Sequence, residues 1–324
     1  MQDLVMSSNI YDLQPELRAV LETLHGPTTP LHLGKQSGDL LSVPMAGFSS
    51  TEGFMAGPPC PPYSSMGLRL EQADPRELVF QRCLDLIFEL AKRGKNNLKF
   101  FALENVMGIA QRRGPLKRSY LEGALARLKS ELSGWTIKTY SVDARSFGLP
   151  QCRNRIFIVG VSPETKHPLP DFISELAPAP HLKDFLLPVK NLSTNLDTLN
   201  TNQRANLSKY LKIYNERNTN ECAIIDIGRN PDLAFGQWIT HDYCGAIRTG
   251  NRSLWVVGNV RGKVAMPGRW VAVEEIAMFC GVDPGDLDYI ERNTKRHFVL
   301  GNMIPVPMAA AVLGTILKAV YGKA

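Results

Sequence analysis

One cysteine set between two proline pairs constrains this chain more than any other feature: Gly57-Pro58-Pro59-Cys60-Pro61-Pro62-Tyr63-Ser64, directly after the apolar run Gly53-Phe54-Met55-Ala56. Proline fixes φ and removes a backbone donor, so Cys60 cannot lie inside a helix or a central strand. The segment reads as a strand that ends in a stiff loop. Such a loop is where an α/β enzyme holds a nucleophile. The same residues also suit a buried, inert thiol, since free cysteine packs well in cores.

The 324 residues suffice for a large domain, or for one domain with a smaller companion, and 44% hydrophobic against 21% charged residues suits a buried core. The net charge of +6 agrees with a nucleic-acid partner without requiring one. Six cysteines occur, none in a C-x-x-C pair and none at zinc spacing with a histidine, so no metal site is expected. A long, cysteine-poor chain points to a reducing, intracellular compartment. No signal peptide and no apolar run of membrane-spanning length are read from the sequence, so no membrane partner is expected.

Strand and helix patterns alternate over the first two-thirds. A short strand at 4–7 precedes a helix at 13–24. A helix over 75–93 carries Val79, Cys83, Leu86, Ile87 and Leu90 on one face. A buried strand at 98–103 ends at Glu104-Asn105. Leu121, Leu125, Leu128 and Leu132 mark another helix, stopped by Gly134, and strands follow at 135–142 and 155–161. This order predicts an α/β fold, a mostly parallel sheet with helices on both faces. Ligands of such sheets bind beyond the carboxyl ends of the strands, which puts Cys60 and Glu104-Asn105 on one rim. The stretch 162–180 reads as a connector, and 191–220, rich in Asn and Thr, as loops of a small second domain. From Trp238 to Arg261, arginines mix with aromatics, as in surfaces that meet nucleic acid. An apolar helix closes the chain at 307–321.

Five motifs in order resemble the DNA (cytosine-5)-methyltransferase family: Gly57-Pro58-Pro59-Cys60, Asp74-Pro75-Arg76, Glu104-Asn105-Val106, Gln151-Cys152-Arg153-Asn154-Arg155 and Gly301-Asn302. The resemblance implies a Rossmann-like S-adenosylmethionine-dependent methyltransferase fold with a small target-recognition domain. It implies a catalytic domain over 1–181, a target-recognition region over 182–269 and a return to the catalytic domain over 270–324. It further implies DNA as substrate, methylated at cytosine C5.

The chemistry explains these residue types. Cytosine C5 is a poor nucleophile until a thiolate adds to C6, and Cys60 is the residue for that addition. Glu104 would hydrogen-bond N3. Arg153 and Arg155 occupy alternate positions entering a strand, so one face is expected to carry both toward the thiolate, the base or a phosphate. Pro59, Asn105, Arg248 and Arg252 would face the substrate, and the base would leave the duplex to reach the pocket.

The implied methyl donor is S-adenosylmethionine, held by Asn9, Ile10, Asp39, Leu78, Gly301 and Asn302. Asn9 stands where the family carries an acid for the ribose, and Pro61 where it carries a glutamine. No F-x-G-x-G donor loop occurs in the sequence, which begins at what resembles the family's second strand. The expectation is weak donor binding, from an incomplete chain or a lost site. Two other functions are consistent with this reading: a DNA-binding pseudoenzyme of the same fold, and a tRNA cytosine-5 methyltransferase, whose Cys-Phe-Thr signature this sequence lacks. The protein would work in the nucleus of a eukaryote or the cytoplasm and nucleoid of a prokaryote.

Overall fold

The computed structural model describes residues 41, 51–60, 63, 75–93, 98–112, 118–174, 181–188, 196–217, 221–233, 238–249 and 253–322. The expected elements at 4–7 and 13–24 lie outside them. The chain divides into two compact units. The first comprises Met1–Val142, Asn154–Ser174 and Met308–Ala324, and the second Asp143–Arg153 and Glu175–Pro307.

The first unit is built on a sheet of β1 (Gly53–Ala56), β2 (Phe100–Val106), β5 (Asn154–Val161) and β3 (Thr136–Asp143), in that order. β1 runs parallel to β2, with Ala56 opposite Leu103. β2 and β5 are antiparallel, with Val106 opposite Arg155. The sequence does not reveal strand direction, so this antiparallel pair within an otherwise alternating α/β pattern emerges only in the structure. The run Phe100-Phe101-Ala102-Leu103 is buried throughout, as in a strand covered on both faces. Gly160 stands opposite Phe101, and a Cβ there would lie 2.1 Å from the ring, so the phenyl group takes the place of a side chain.

Helix α1 (Glu77–Lys92) buries Phe80, Cys83, Leu84 and Ile87, spaced for one helical face. They join Phe101, Leu103, Ile156 and Ile158 of the sheet and Ala124 and Leu128 of α2 (Tyr120–Glu131) in one core. A capping box starts α2. The Glu122 amide donates to Ser119 Oγ at 3.1 Å, and the Ser119 amide donates to Glu122 Oε2 at 2.7 Å. Gly134 follows in the left-handed region, at φ 77°, as expected of a helix stop. Tyr321, at the end of α6 (Val306–Tyr321), donates to Glu52 Oε2 at 2.7 Å. Glu52 precedes β1, so this bond lies at the end of the strand remote from Cys60.

The second unit holds the sheet β10 (Lys263–Trp270), β9 (Leu254–Val260), β6 (Ala223–Asp226) and β7 (Ile239–Thr240). A short parallel pair joins β4 (Gln151–Cys152) to β8 (Cys244–Gly245). The expectation of loops over 191–220 is corrected by α3 (Thr201–Glu216). Asn200 and Gln203 form its capping box, and Leu207, Tyr210 and Tyr214 bury one face against Ile225, Trp255 and Val257. Packing of that stripe outweighs the low helix propensity of its Asn and Thr residues.

The unit also contains α4 (Val273–Phe279) and α5 (Asn293–Asn302). A fully buried ion pair, Arg269 Nη2 to Glu275 Oε1 at 2.7 Å, joins β10 to α4. Glu275 also accepts the Leu187 amide at 2.7 Å, so these charges are hydrogen-bonded as well as paired.

The reading that no stretch could span a membrane also needs correction. Asn293–Tyr321 meets that criterion by length and composition. Yet α5 ends at Asn302, and the next residue, Met303, has an extended ψ of 155°. In α6, Met308, Ala311, Val312, Ile316, Leu317, Ala319 and Val320 are buried by the protein itself. The apolar character there is that of a core-facing helix.

Candidate active site

After Ala56 the chain leaves β1 and passes through Gly57, Pro58 and Pro59 to Cys60, which is half-buried. The Tyr63 amide donates to the Cys60 carbonyl at 2.9 Å, closing a turn around the cysteine. Tyr63 is 3% exposed. Its ring lies 4.6 Å from that of Tyr120 and 6.3 Å from that of Phe80. The loop is thus anchored in the core just beyond Cys60.

The end of β2 holds the same loop from the side. Asn105 Nδ2 donates to the Pro58 carbonyl at 3.3 Å, and its Oδ1 accepts the Val106 amide at 2.9 Å. Three residues on, a Cβ at Gly108 would fall 2.0 Å from the Tyr63 carbonyl oxygen. Only glycine permits that approach. Parallel pairing of β1 with β2 brings both strand ends to one rim, as the alternation of elements implied.

On this rim Glu104 meets Arg155, Oε1 to Nε at 2.7 Å, with each side chain 12% exposed. Glu104 faces Phe157 in the register and Val106 faces Arg155, so the two charges are diagonal neighbours on one face. A well-buried pair fixes the direction of the carboxyl group, and removal of one partner leaves the other charge uncompensated.

Arg153 behaves differently. β5 begins at Asn154, so Arg153 lies outside the strand, and the alternation that was to give it one face with Arg155 does not govern it. It is 3% exposed. Its guanidinium donates to the carbonyls of Ile247 (2.9 Å), Gly301 (3.2 Å) and Met303 (2.8 Å). Gln151 acts beside it, donating to the Phe279 carbonyl at 3.0 Å and accepting the Ile247 amide at 3.2 Å. Both side chains clamp the segment at 247 within the second unit.

Gly301 packs its Cα against that segment, where a Cβ would lie 2.5 Å from the Thr249 amide nitrogen. Asn302 beside it is exposed, and Leu78 in the first turn of α1 is 54% exposed. Arg248 pairs with Asp226 at 2.6 Å. Asn9, Ile10, Asp39 and Arg252 lie outside the described residues. No motif singles out Tyr63, Gly108, Asp226 or Arg229, whose Nε donates to Asp226 Oδ2 at 3.2 Å. For Tyr63 and Gly108 the only signal is proximity to Cys60 and to Glu104-Asn105.

Of the other cysteines, Cys83, Cys222, Cys244 and Cys280 are buried and Cys152 is half-buried. Burial pushes the Cys83 and Cys222 thiols up to about 12 and Cys280 to about 11. Burial raises Cys244 well above its ordinary value. Cys152 is raised by burial and then by the neighbouring Asp143 carboxylate.

The architecture is shared with solved methyltransferase structures. The Entamoeba histolytica methyltransferase EhMeth superposes with a TM-score of 0.57 over 94% of this chain and 88% of that one, at 13% identity. The Dnmt2 methyltransferase of S. pombe does so at 0.55 over the same shares, at 15% identity. The sequence then defines the family: residues 32–318 match the C-5 cytosine-specific DNA methylase model, and the chain belongs to that family. The type II methyltransferase M.DdeI of Desulfomicrobium norvegicum is 31% identical over 113 residues, 35% of this chain and 25% of that protein. M.NlaX of Neisseria lactamica is 35% identical over 123 residues, 38% and 36% of the two. The matched stretch thus spans between a quarter and about a third of the length of these curated relatives.

Proposed function

We propose that the protein transfers a methyl group from S-adenosylmethionine to C5 of cytosine in DNA, with Cys60 as the covalent nucleophile. The observation that carries this reading is the common rim: the Cys60 loop held by Asn105, beside a Glu104 carboxyl group fixed by Arg155. A thiol on a pinned loop and an oriented carboxyl group are what addition to a pyrimidine requires.

In this mechanism the cytosine leaves the stack to reach the rim that carries Cys60 and Glu104. The Cys60 thiolate adds to C6, and the C5–C6 π electrons become available at C5. Glu104 in its acid form donates its proton toward N3 while Arg155 stays on the other carboxyl oxygen, so negative charge does not accumulate on the ring. C5 would take the methyl group as the donor's S–CH3 bond breaks, its electron pair leaving on the sulfur of the thioether product. Loss of the C5 proton to water, expulsion of the Cys60 thiolate and return of the N3 proton to Glu104 then restore the aromatic ring and the free enzyme. Arg155 keeps the Glu104 carboxyl group directed at the base. Arg153 acts through the backbone segment it holds.

When bound, S-adenosylmethionine supplies the electrophilic methyl group. The exposed apolar Leu78 suits the face of a purine, and the exposed Asn302 amide suits a polar edge of the donor. Asn9, Ile10 and Asp39 complete the proposed donor set, and Gly301 contributes backbone. The region 182–269 is the proposed DNA-reading part, with Arg248 and Arg252 toward the substrate and Pro59 and Asn105 beside the base. The protein would act inside the cell, where its DNA is.

The test is methyl transfer itself. Purified protein with labelled S-adenosylmethionine, supplied in excess to offset the weak donor binding expected from the sequence, should place the label in 5-methylcytosine of duplex DNA. Label found only in tRNA, or no transfer by protein shown to bind donor and DNA, would overturn the proposal.

A further inference from the structure

We propose that Asp226, Arg229 and Arg248 form a two-pronged clamp for a DNA backbone phosphate, with Asp226 as the positioning residue. The inference rests on the reading of the protein as a DNA-modifying enzyme and assigns how part of its recognition region holds the strand.

Asp226 ends β6, and its side chain is 6% exposed. Its Oδ1 accepts the Gly228 amide at 3.1 Å, which closes a tight turn. A Cβ at Gly228 would lie 2.9 Å from the Ser253 Cβ, so the turn leaves little room for a side chain. Its Oδ2 accepts from both arginines, Arg248 Nη2 at 2.6 Å and Arg229 Nε at 3.2 Å. Both arginine side chains are 37% exposed. Arg229 also lies over the Trp238 ring, 5.3 Å from its centroid, and Arg248 Nη2 reaches Ser253 Oγ at 3.5 Å.

One buried carboxylate needs one cation. Here two guanidinium groups share a single oxygen, which leaves a net positive centre at the surface and two like charges held close together. An anion bridging the two forks relieves that repulsion. A guanidinium carries five N–H donors. Among the described residues, Arg229 uses only its Nε toward protein and Arg248 only its Nη2. The remaining donors have the planar fork geometry that matches phosphate oxygens. Arginines tied down by a buried carboxylate and an indole face are preorganised for such an anion. They are ill-suited to extend into a groove, so the interaction assigned is with the DNA backbone rather than with a base edge.

A positioning role and a plain charge role predict opposite signs. By charge alone, Asp226→Asn removes a negative group and tightens DNA binding. By positioning, it lets the two arginines separate and weakens binding roughly tenfold, the effect of one charge-assisted hydrogen bond. The experiment titrates duplex DNA at several salt concentrations with the wild type, Asp226→Asn, Arg229→Gln, Arg248→Gln and the double arginine variant, with melting curves as a fold control.

The expected result is weaker binding by Asp226→Asn and a salt slope flattened by about 0.9 for each phosphate no longer held. Equal or tighter binding by a folded Asp226→Asn protein, or an unchanged slope in both arginine variants, overturns the proposal. If Asp226→Asn does not fold, the arginine variants, which keep the carboxylate in place, decide it. A wild type that binds no DNA at any salt overturns the proposed function as well, whereas failure confined to the variants overturns the clamp alone.

Discussion

Asn105 Nδ2 donates to the carbonyl oxygen of Pro58 across 3.3 Å, so the end of one strand holds the loop that carries Cys60 at the end of its neighbour. This bond turns the parallel register of β1 and β2 into a geometric constraint on the thiol. The bond should matter more to rate than to affinity. Asn105→Ala is expected to lower kcat by up to ~10²-fold, because a small displacement of a reacting group is that costly. Gly108→Ala, which would push a Cβ onto the Tyr63 carbonyl, should show the same drop in rate with a destabilisation of about 1–3 kcal/mol. Steady-state kinetics beside thermal melts checks both. Wild-type kcat in the two variants would remove the loop-holding role.

Glu104→Gln should reduce the methylation rate by ~10²–10⁴-fold while DNA affinity stays within a few-fold. Gln still accepts from Arg155, so the rim keeps its shape and the change isolates the carboxyl group. A rate within a few-fold of wild type would show that Glu104 does not act at N3.

The thiols should separate by pH. Cys83, Cys222 and Cys280 have raised values, so they remain protonated at neutral pH, and their thiolates appear only as pH rises toward about 12, 12 and 11. Only the thiolate alkylates. Brief iodoacetamide treatment of the native protein near pH 7 should therefore modify Cys60 ahead of these three, as read by peptide mass spectrometry. Preferential labelling of Cys83 or Cys280 would contradict the burial described.

The common rim of Cys60 and Glu104-Asn105 was legible because prolines end β1 unambiguously and the Phe100-Phe101-Ala102-Leu103 run marks a buried strand before Glu104. Helix α3 was not, since Asn and Thr residues hid the Leu207, Tyr210 and Tyr214 stripe behind a loop-like composition. The different roles of Arg153 and Arg155 were hidden for another reason. Spacing by two places residues on one face only inside a strand, and β5 starts between them. The antiparallel direction of β5 and the Asp226–Arg248 pair depend on tertiary interactions between residues distant in sequence, which no local pattern encodes.

Covalent trapping tests the central claim most directly. Duplex DNA carrying 5-fluorocytosine at the target base, with S-adenosylmethionine present, should leave the protein joined to DNA through Cys60. The C5 fluorine cannot depart as a proton does, so the thiolate is not expelled. The wild type is predicted to give a denaturation-resistant protein–DNA complex with the adduct on the Cys60 peptide, and Cys60→Ser to give none. A Cys60→Ser protein that still traps the DNA, or an adduct mapped to another residue, would contradict the account.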